Sequence, residues 1–180
     1  RDTKSEDYIS IRDSYKIPNN AIVFTYTGRL VKEKGLMQLI KSFKKLQAQY
    51  GNCYLVFAGD GLLEEYVTSN LDEHFIWLKR ISFDEIIHLL QESDVFCLPS
   101  DSEGFSTSLI EAVACECYIL TTNQGGAKEV LIDDSYGLIM DDNKEETVYE
   151  SLKKVYLNNN RDQAIRKAYK RLEENFTWDL

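Results

Sequence analysis

Short, continuous apolar runs alternate with longer amphipathic segments along nearly the whole chain, and that rhythm leaves few folds open. Residues 22–26, 54–58, 75–78, 94–98, 118–121 and 137–140 read as strands, rich in β-branched and aromatic side chains. Between them the period changes to that of a helix. Leu36, Leu39, Ile40, Phe43 and Leu46 make one apolar stripe, with Lys41, Lys44 and Lys45 on the other side. Helices are likewise expected over 62–71, through Ile86, Leu89 and Leu90, over 109–114, and finally over 145–157 and 162–174. Strands that are apolar throughout, instead of at every second residue, must be covered on both faces. Strand–helix–strand units with short connections require right-handed crossovers. The expected fold is therefore α/β: a doubly wound, mostly parallel six-stranded Rossmann-like sheet with its ligand at the carboxyl ends of the strands. Residues 1–20 are polar and end in a turn at Lys16-Ile17-Pro18-Asn19-Asn20, so they read as a linker or lead-in to one domain over 21–180.

With 180 residues the chain has room for one such domain and not for two large ones. A net charge of −9 argues against nucleic acid as a partner. It does not argue against a small anionic ligand, for which a few local cations and amides suffice. Cys53 and Cys97 fall inside apolar runs and read as core residues; Cys115 and Cys117 lack the second ligand pair that zinc needs. No metal site is expected. Neither a signal peptide nor an apolar run long enough to span a bilayer is legible, and a cytoplasmic location is expected.

Four strand-end segments carry the chemistry. Thr27-Gly28-Arg29 and Lys34-Gly35 follow the first strand, where Arg29 offers a planar fork to phosphate oxygens and Lys34 a mobile charge. By spacing alone, two surface cations on a loop is the commoner reading. Gly59-Asp60-Gly61 follows the second strand, and its glycines read first as turn closers. Glu103-Gly104-Phe105-Ser106-Thr107-Ser108-Leu109-Ile110-Glu111 is the most informative: small polar residues before an apolar helix expose backbone amides to an anion. Glu111 then lies about one turn into the helix. Eight residues of helix rise roughly 12 Å, whereas retaining hydrolases hold their carboxyls about 5 to 5.5 Å apart. Glu103 and Glu111 are thus better suited to binding hydroxyl groups than to acting as a glycosidase pair. The alternative, that Ser106, Thr107 and Ser108 only cap the helix and Glu111 is a structural carboxylate, stays open. Gly125-Gly126-Ala127-Lys128-Glu129 gives a further flexible loop that opens a helix.

In order and placement these segments, with Ser93-Asp94-Val95, Leu98-Pro99-Ser100 and Glu111-Ala112, resemble the nucleotide-sugar-binding domain of the retaining glycosyltransferase family four, the glycosyl transferases group one. The resemblance covers nearly everything after Asn20. It implies the C-terminal half of a GT-B fold whose N-terminal acceptor domain is absent from this chain. It implies that Arg29 and Lys34 hold the donor diphosphate, that Glu103 binds the transferred sugar, and that Glu111 binds the ribose hydroxyls. Gly28, Phe105, the amides of Ser106 to Leu109, and Glu129 would complete the donor site, with Arg80 and Ile81 receiving the base. Two departures are visible: Ala114-Cys115-Glu116-Cys117-Tyr118 replaces a small-residue, glycine and proline pattern, and Lys79-Arg80 stands where a glycine is usual.

The implied reaction moves a sugar from a UDP- or GDP-type donor to an acceptor hydroxyl with retention, in cell-surface polysaccharide or glycolipid synthesis. No obligatory metal is expected, because cations and helix-end amides can carry the leaving-group charge. The acceptor glycan or glycolipid would be held by the missing domain. Phe176-Thr177-Trp178 resembles the point where the family's chain turns back towards it, and a fragment of this extent is expected to bind nucleotide but to transfer sugar poorly. Arg166, Lys167, Lys170 and Arg171 offer a cationic face for peripheral contact with an anionic membrane, though interleaved glutamates favour a solvated helix face. The rival readings are a noncatalytic nucleotide-sugar-binding module, half of a sugar-nucleotide epimerase, and a receiver-like signalling domain. The last expects an aspartate phosphoacceptor at a strand end, where this chain has glutamates on later loops.

Overall fold

The computed structural model describes residues 10–102 and 104–176. The elements run α1 (Ile11–Ser14), β1 (Ile22–Thr27), α2 (Leu36–Tyr50), β2 (Cys53–Ala58), α3 (Glu64–Thr68), β3 (Phe75–Trp77), α4 (Phe83–Gln91) and β4 (Val95–Leu98). They continue with α5 (Thr107–Ala114), β5 (Tyr118–Thr122), α6 (Ala127–Leu131), β6 (Leu138–Met140), α7 (Glu145–Leu157) and α8 (Arg161–Asn175). All six strands join one sheet in the order β3-β2-β1-β4-β5-β6, and every neighbouring pair is parallel. The chain winds outward from β1 to β3, then returns to the centre and winds the other way from β4. Between β1 and β4 the connections diverge, and this switch point opens a crevice at the carboxyl ends.

Both sheet faces are buried, as strands apolar throughout require. On one face Phe24, Tyr26, Phe57 and Phe75 pack in a chain of rings, with Tyr26–Phe57 and Phe57–Phe75 centroids 5.1 and 5.0 Å apart. Phe24 meets Phe43 of α2 edge-on at 6.3 Å. Burial of each such side chain stabilises the fold by about 1.5–3 kcal/mol. The stripe expected on α2 is buried as predicted, and two of its outer lysines reach α7, Lys45 pairing with Glu145 at 2.6 Å and Lys41 at 3.8 Å.

The helix expected over 62–71 shrinks to Glu64–Thr68. Leu62, expected to open that helix, precedes it and is 92% exposed. Residues 10–20, expected as a lead-in, are docked. Ile11 and Ile17 join Ala21, Val23, Val56 and Leu89 in a second, smaller cluster. The polar residues of this segment bind the amino-end pole of the sheet. Arg12 donates to the carbonyls of Pro18, Ala21 and Glu92 and to the Asp94 carboxylate at 2.9 Å, while Ser10 donates to Glu92. Of the thiols, burial raises Cys97 and Cys117 and pushes Cys53 up to about 12, as befits inert core residues.

Candidate donor-binding site

The loops at the carboxyl ends of the strands are tied to one another in series. After β2, Gly59 has φ +140, and a Cβ there would lie 1.9 Å from the Gly28 carbonyl oxygen after β1. Its amide donates to the Lys79 carbonyl after β3 at 2.7 Å, and its carbonyl accepts from Trp77 Nε1 at 2.9 Å. The Leu30 amide binds the Asp60 carbonyl at 2.7 Å. Gly59-Asp60-Gly61 therefore interlocks β1 and β2, which is the structural reading favoured for it from sequence.

Across the switch point the contact is equally close. Gly35 opens α2 with φ +68, and a Cβ there would lie 2.0 Å from the Pro99 carbonyl oxygen, which also accepts from Asn143 Nδ2 at 3.2 Å. The Asp101 amide donates to the Glu33 carbonyl at 2.8 Å. The segment carrying Arg29 and Lys34 is thus held against the end of β4, from which the Glu111 helix departs. Arg29 is exposed and enters no ion pair among the described residues. Lys34 sits half-buried in a single 3-10 turn, Lys32–Lys34.

Ser106 is the N-cap of α5 but supplies no capping bond; its hydroxyl turns to Ser108 Oγ at 3.0 Å, and its amide donates to the Gly125 carbonyl. The pure capping role considered from sequence is not what these hydroxyls do, and the first-turn amides stay available to an anion. Glu111, one turn on, is half-buried, and burial pushes its carboxyl above the ordinary glutamate range. Glu103 lies outside the described residues, as do Thr177 and Trp178. Phe105 is exposed and lies over Gly126. Glu129 is exposed on α6, its carbonyl bound by Arg171.

At the end of β3, Lys79 has φ +58, the left-handed region that suits the glycine usual there. Its ammonium lies 5.7 Å from the Trp77 ring centroid. Arg80 is exposed, 4.0 Å from Asp60, beside a half-buried Ile81. Sequence reasoning missed Asn143, and it named Thr27 within Thr27-Gly28-Arg29 without giving it a role of its own. Asn143 carries no signal in its Asp-Asp-Asn-Lys context. The Thr27 hydroxyl, the last side chain of β1, is buried without a hydrogen-bond partner. A pocket of about 500 Å³ between the ends of β5 and β6 is lined by Asn123, Lys128, Asp133, Asp134 and Asp141 and contains none of the expected donor residues. Its three carboxylates make it unsuited to a diphosphate.

Among the described residues no group of acids, histidines and cysteines is placed to hold a metal ion, and no helix is long and apolar enough to cross a membrane. The cations of α8 are largely engaged: Lys170 pairs with Glu174 at 3.6 Å, and Lys167 lies 5.8 Å from the Tyr136 ring centroid.

A wholly parallel, doubly wound sheet with a glycine-lined crevice at its switch point defines a Rossmann-like domain of the kind found in GT-B glycosyltransferases. The chain belongs to the glycosyl transferases group 1 family, whose model matches residues 7–172. It is 28% identical over 174 residues to the capsular polysaccharide biosynthesis glycosyltransferase CapM of Staphylococcus aureus, covering 91% of this chain and 44% of that one. Its fold is similar to the crystal structure of the C-terminal domain of the group 1 glycosyl transferase LpcC from Francisella tularensis, with a TM-score of 0.79 at 21% identity, covering 92% of this chain and 90% of that one. It is also similar to Anabaena Alr3699/HepE solved in complex with UDP, with a TM-score of 0.78 at 18% identity, covering 92% and 47%. The chain spans about half the length of the curated relatives it matches.

Proposed function

We propose that this chain is the donor-binding domain of a retaining glycosyltransferase that moves a sugar from a UDP- or GDP-type nucleotide sugar to an acceptor hydroxyl in cell-surface polysaccharide or glycolipid synthesis. One observation carries the reading: the segment with Arg29 and Lys34 is pinned to the end of β4 through Gly35–Pro99 and Glu33–Asp101, beside the uncapped amino end of α5. A diphosphate bound there meets a guanidinium, an ammonium and a row of amides from three directions. As the glycosidic bond breaks, charge collects on the leaving diphosphate, and these groups stabilise it without needing an obligatory metal. The leaving phosphate accepts the acceptor's proton on the same face of the sugar, so no protein nucleophile is assigned. Glu111 takes the ribose hydroxyls, Glu103 and Glu129 the sugar side, and Arg80 with Ile81 the base. The bound UDP of the Anabaena relative and the capsular role of the staphylococcal one support the donor and the product class. The acceptor site is assigned to the half of the enzyme that this chain does not span, and the whole enzyme to the cytoplasmic side of the membrane.

Thermal unfolding with UDP, GDP and their sugars tests this. A ligand at a hundredfold excess over its Kd stabilises the fold by about 2.7 kcal/mol, and Arg29→Ala and Glu111→Ala should each remove about half of that gain or more. An unchanged midpoint with every nucleotide would rule the site out.

A further inference from the structure

The last described helix closes on two of the strand-end loops at once. α8 buries Ala164, Ala168 and Leu172 against the domain and packs on both α5 and α6. One turn before its end, Arg171 donates twice to one acceptor, the Glu129 carbonyl, with Nε at 2.9 Å and Nη2 at 2.6 Å. That carbonyl is among the last four of a five-residue helix, which has no internal donor for it. A guanidinium there satisfies it and lies favourably towards the helix dipole. So short a helix is marginal without such support. One residue beyond the end of α8, Phe176 stacks on Phe105 with centroids 6.2 Å apart and planes at 28°. Phe105 in turn covers Gly126, its ring 2.8 Å from where a Cβ would stand, and the next amide, Ser106, donates to the Gly125 carbonyl at 3.2 Å.

We propose that Arg171 and Phe176 are positioning residues: they hold the Phe105–Ser106 and Gly125–Gly126 loops together in the arrangement that the donor site needs. The proposal rests on the function proposed above. Neither side chain touches the donor itself. Arg171 acts through α6, whose amino end is the Gly125–Gly126 loop, and Phe176 acts through Phe105, which leads directly into the amino end of α5. Both loops border the same half of the crevice, the half opposite Arg29. The end of α8 thus controls their spacing from outside the site, and loosening it should weaken donor binding while leaving the sheet intact.

Hydrogen exchange and nucleotide titration on Arg171→Ala, Phe176→Ala, the double variant and Arg171→Lys test the idea. In the ligand-free chain, amides of 104–107 and 125–129 should exchange about tenfold faster in the alanine variants, with those of β1 and β4 unchanged. UDP or GDP affinity should fall about fivefold or more in each, and the double variant should lose less than the product of the two, because both act on one unit. Arg171→Lys, which keeps one donor, should recover part of the loss. Uniformly faster exchange across the sheet would show a merely structural role and overturn the proposal. Wild-type binding with unchanged affinity in the variants overturns it alone; no nucleotide binding by the wild type overturns the function first and this proposal with it.

Discussion

The two poles of the sheet use the same residue types for opposite ends. At the amino pole, Arg12 spends its whole guanidinium on three carbonyls and the Asp94 carboxylate, and Glu92 takes the Ser10 hydroxyl and the Arg12 amide. At the carboxyl pole, Arg29 stands exposed outside any ion pair among the described residues, and Glu111 is half-buried with its carboxyl pushed up. Charge satisfied within the chain stabilises the fold. Charge left unpaired beside interlocked glycine loops adds nothing to stability, and for the half-buried Glu111 it costs some, but it stays available for a ligand. The contrast suggests where to look: the groups assigned above to the donor, Arg29 and Glu111, are ones that the fold does not tie into ion pairs among the described residues.

Four substitutions can break or sharpen that contrast. The largest effect is expected from Arg12→Ala, which should cost about 2–3 kcal/mol by denaturant unfolding because several charge-assisted bonds go at once. Nucleotide affinity should not change; a matching loss of affinity would mean that the poles are not separable. Arg29→Ala should do the reverse. Stability should stay within about 0.5 kcal/mol, while nucleotide affinity falls about tenfold, or about 1.4 kcal/mol. Lys79→Gly should gain a smaller amount, about 0.5 kcal/mol, as relief of the left-handed backbone outweighs the added freedom of the unfolded chain. A loss there would show that the Lys79 stem on Trp77 matters more than the backbone.

Glu111→Gln gives the smallest change and one with a sign set by pH. The Glu111 carboxyl titrates higher folded than unfolded, since burial disfavours the charged form. Its contribution to stability is fully present below the unfolded value, near 4.5, and is lost as pH rises through the folded one. The glutamine variant should therefore melt higher than wild type at neutral pH, with the difference vanishing in acid, yet bind nucleotide less well. A variant less stable at neutral pH would make Glu111 a structural residue after all.

The legible part of the fold is the part that repeats. Strands such as Ile22–Thr27 and Cys53–Ala58 announced themselves as apolar runs, and the α2 stripe as helical spacing, because burial on both strand faces leaves only an occasional threonine, Thr25 and Thr27 in β1, among the apolar residues. The capping box at the start of α4, Ser82 with Glu85, is equally readable from its spacing; both of its bonds are present, and the Ser82 hydroxyl and amide, each donating to the Glu85 carboxylate, lower that carboxyl. The helix over 62–71 falls short at both ends, where Leu62 and Leu71 are exposed instead of packing on the domain.

What the sequence determined by itself was the alternation of periods, hence a doubly wound sheet, and the order of glycines, cations and acids at its strand ends, hence the family. Both are local patterns, fixed by side-chain chemistry at short spacing. Only the tertiary structure decided which of those groups are consumed. Arg12 and Arg29 look alike in a string of letters, and so do Asn143 and any other asparagine before a helix. Their difference lies in partners 44 to 82 positions away, such as Pro99 for Asn143 and Asp94 for Arg12. Such partners meet only when strands distant in sequence become neighbours, because a hydrogen bond reads distance in space and not along the chain.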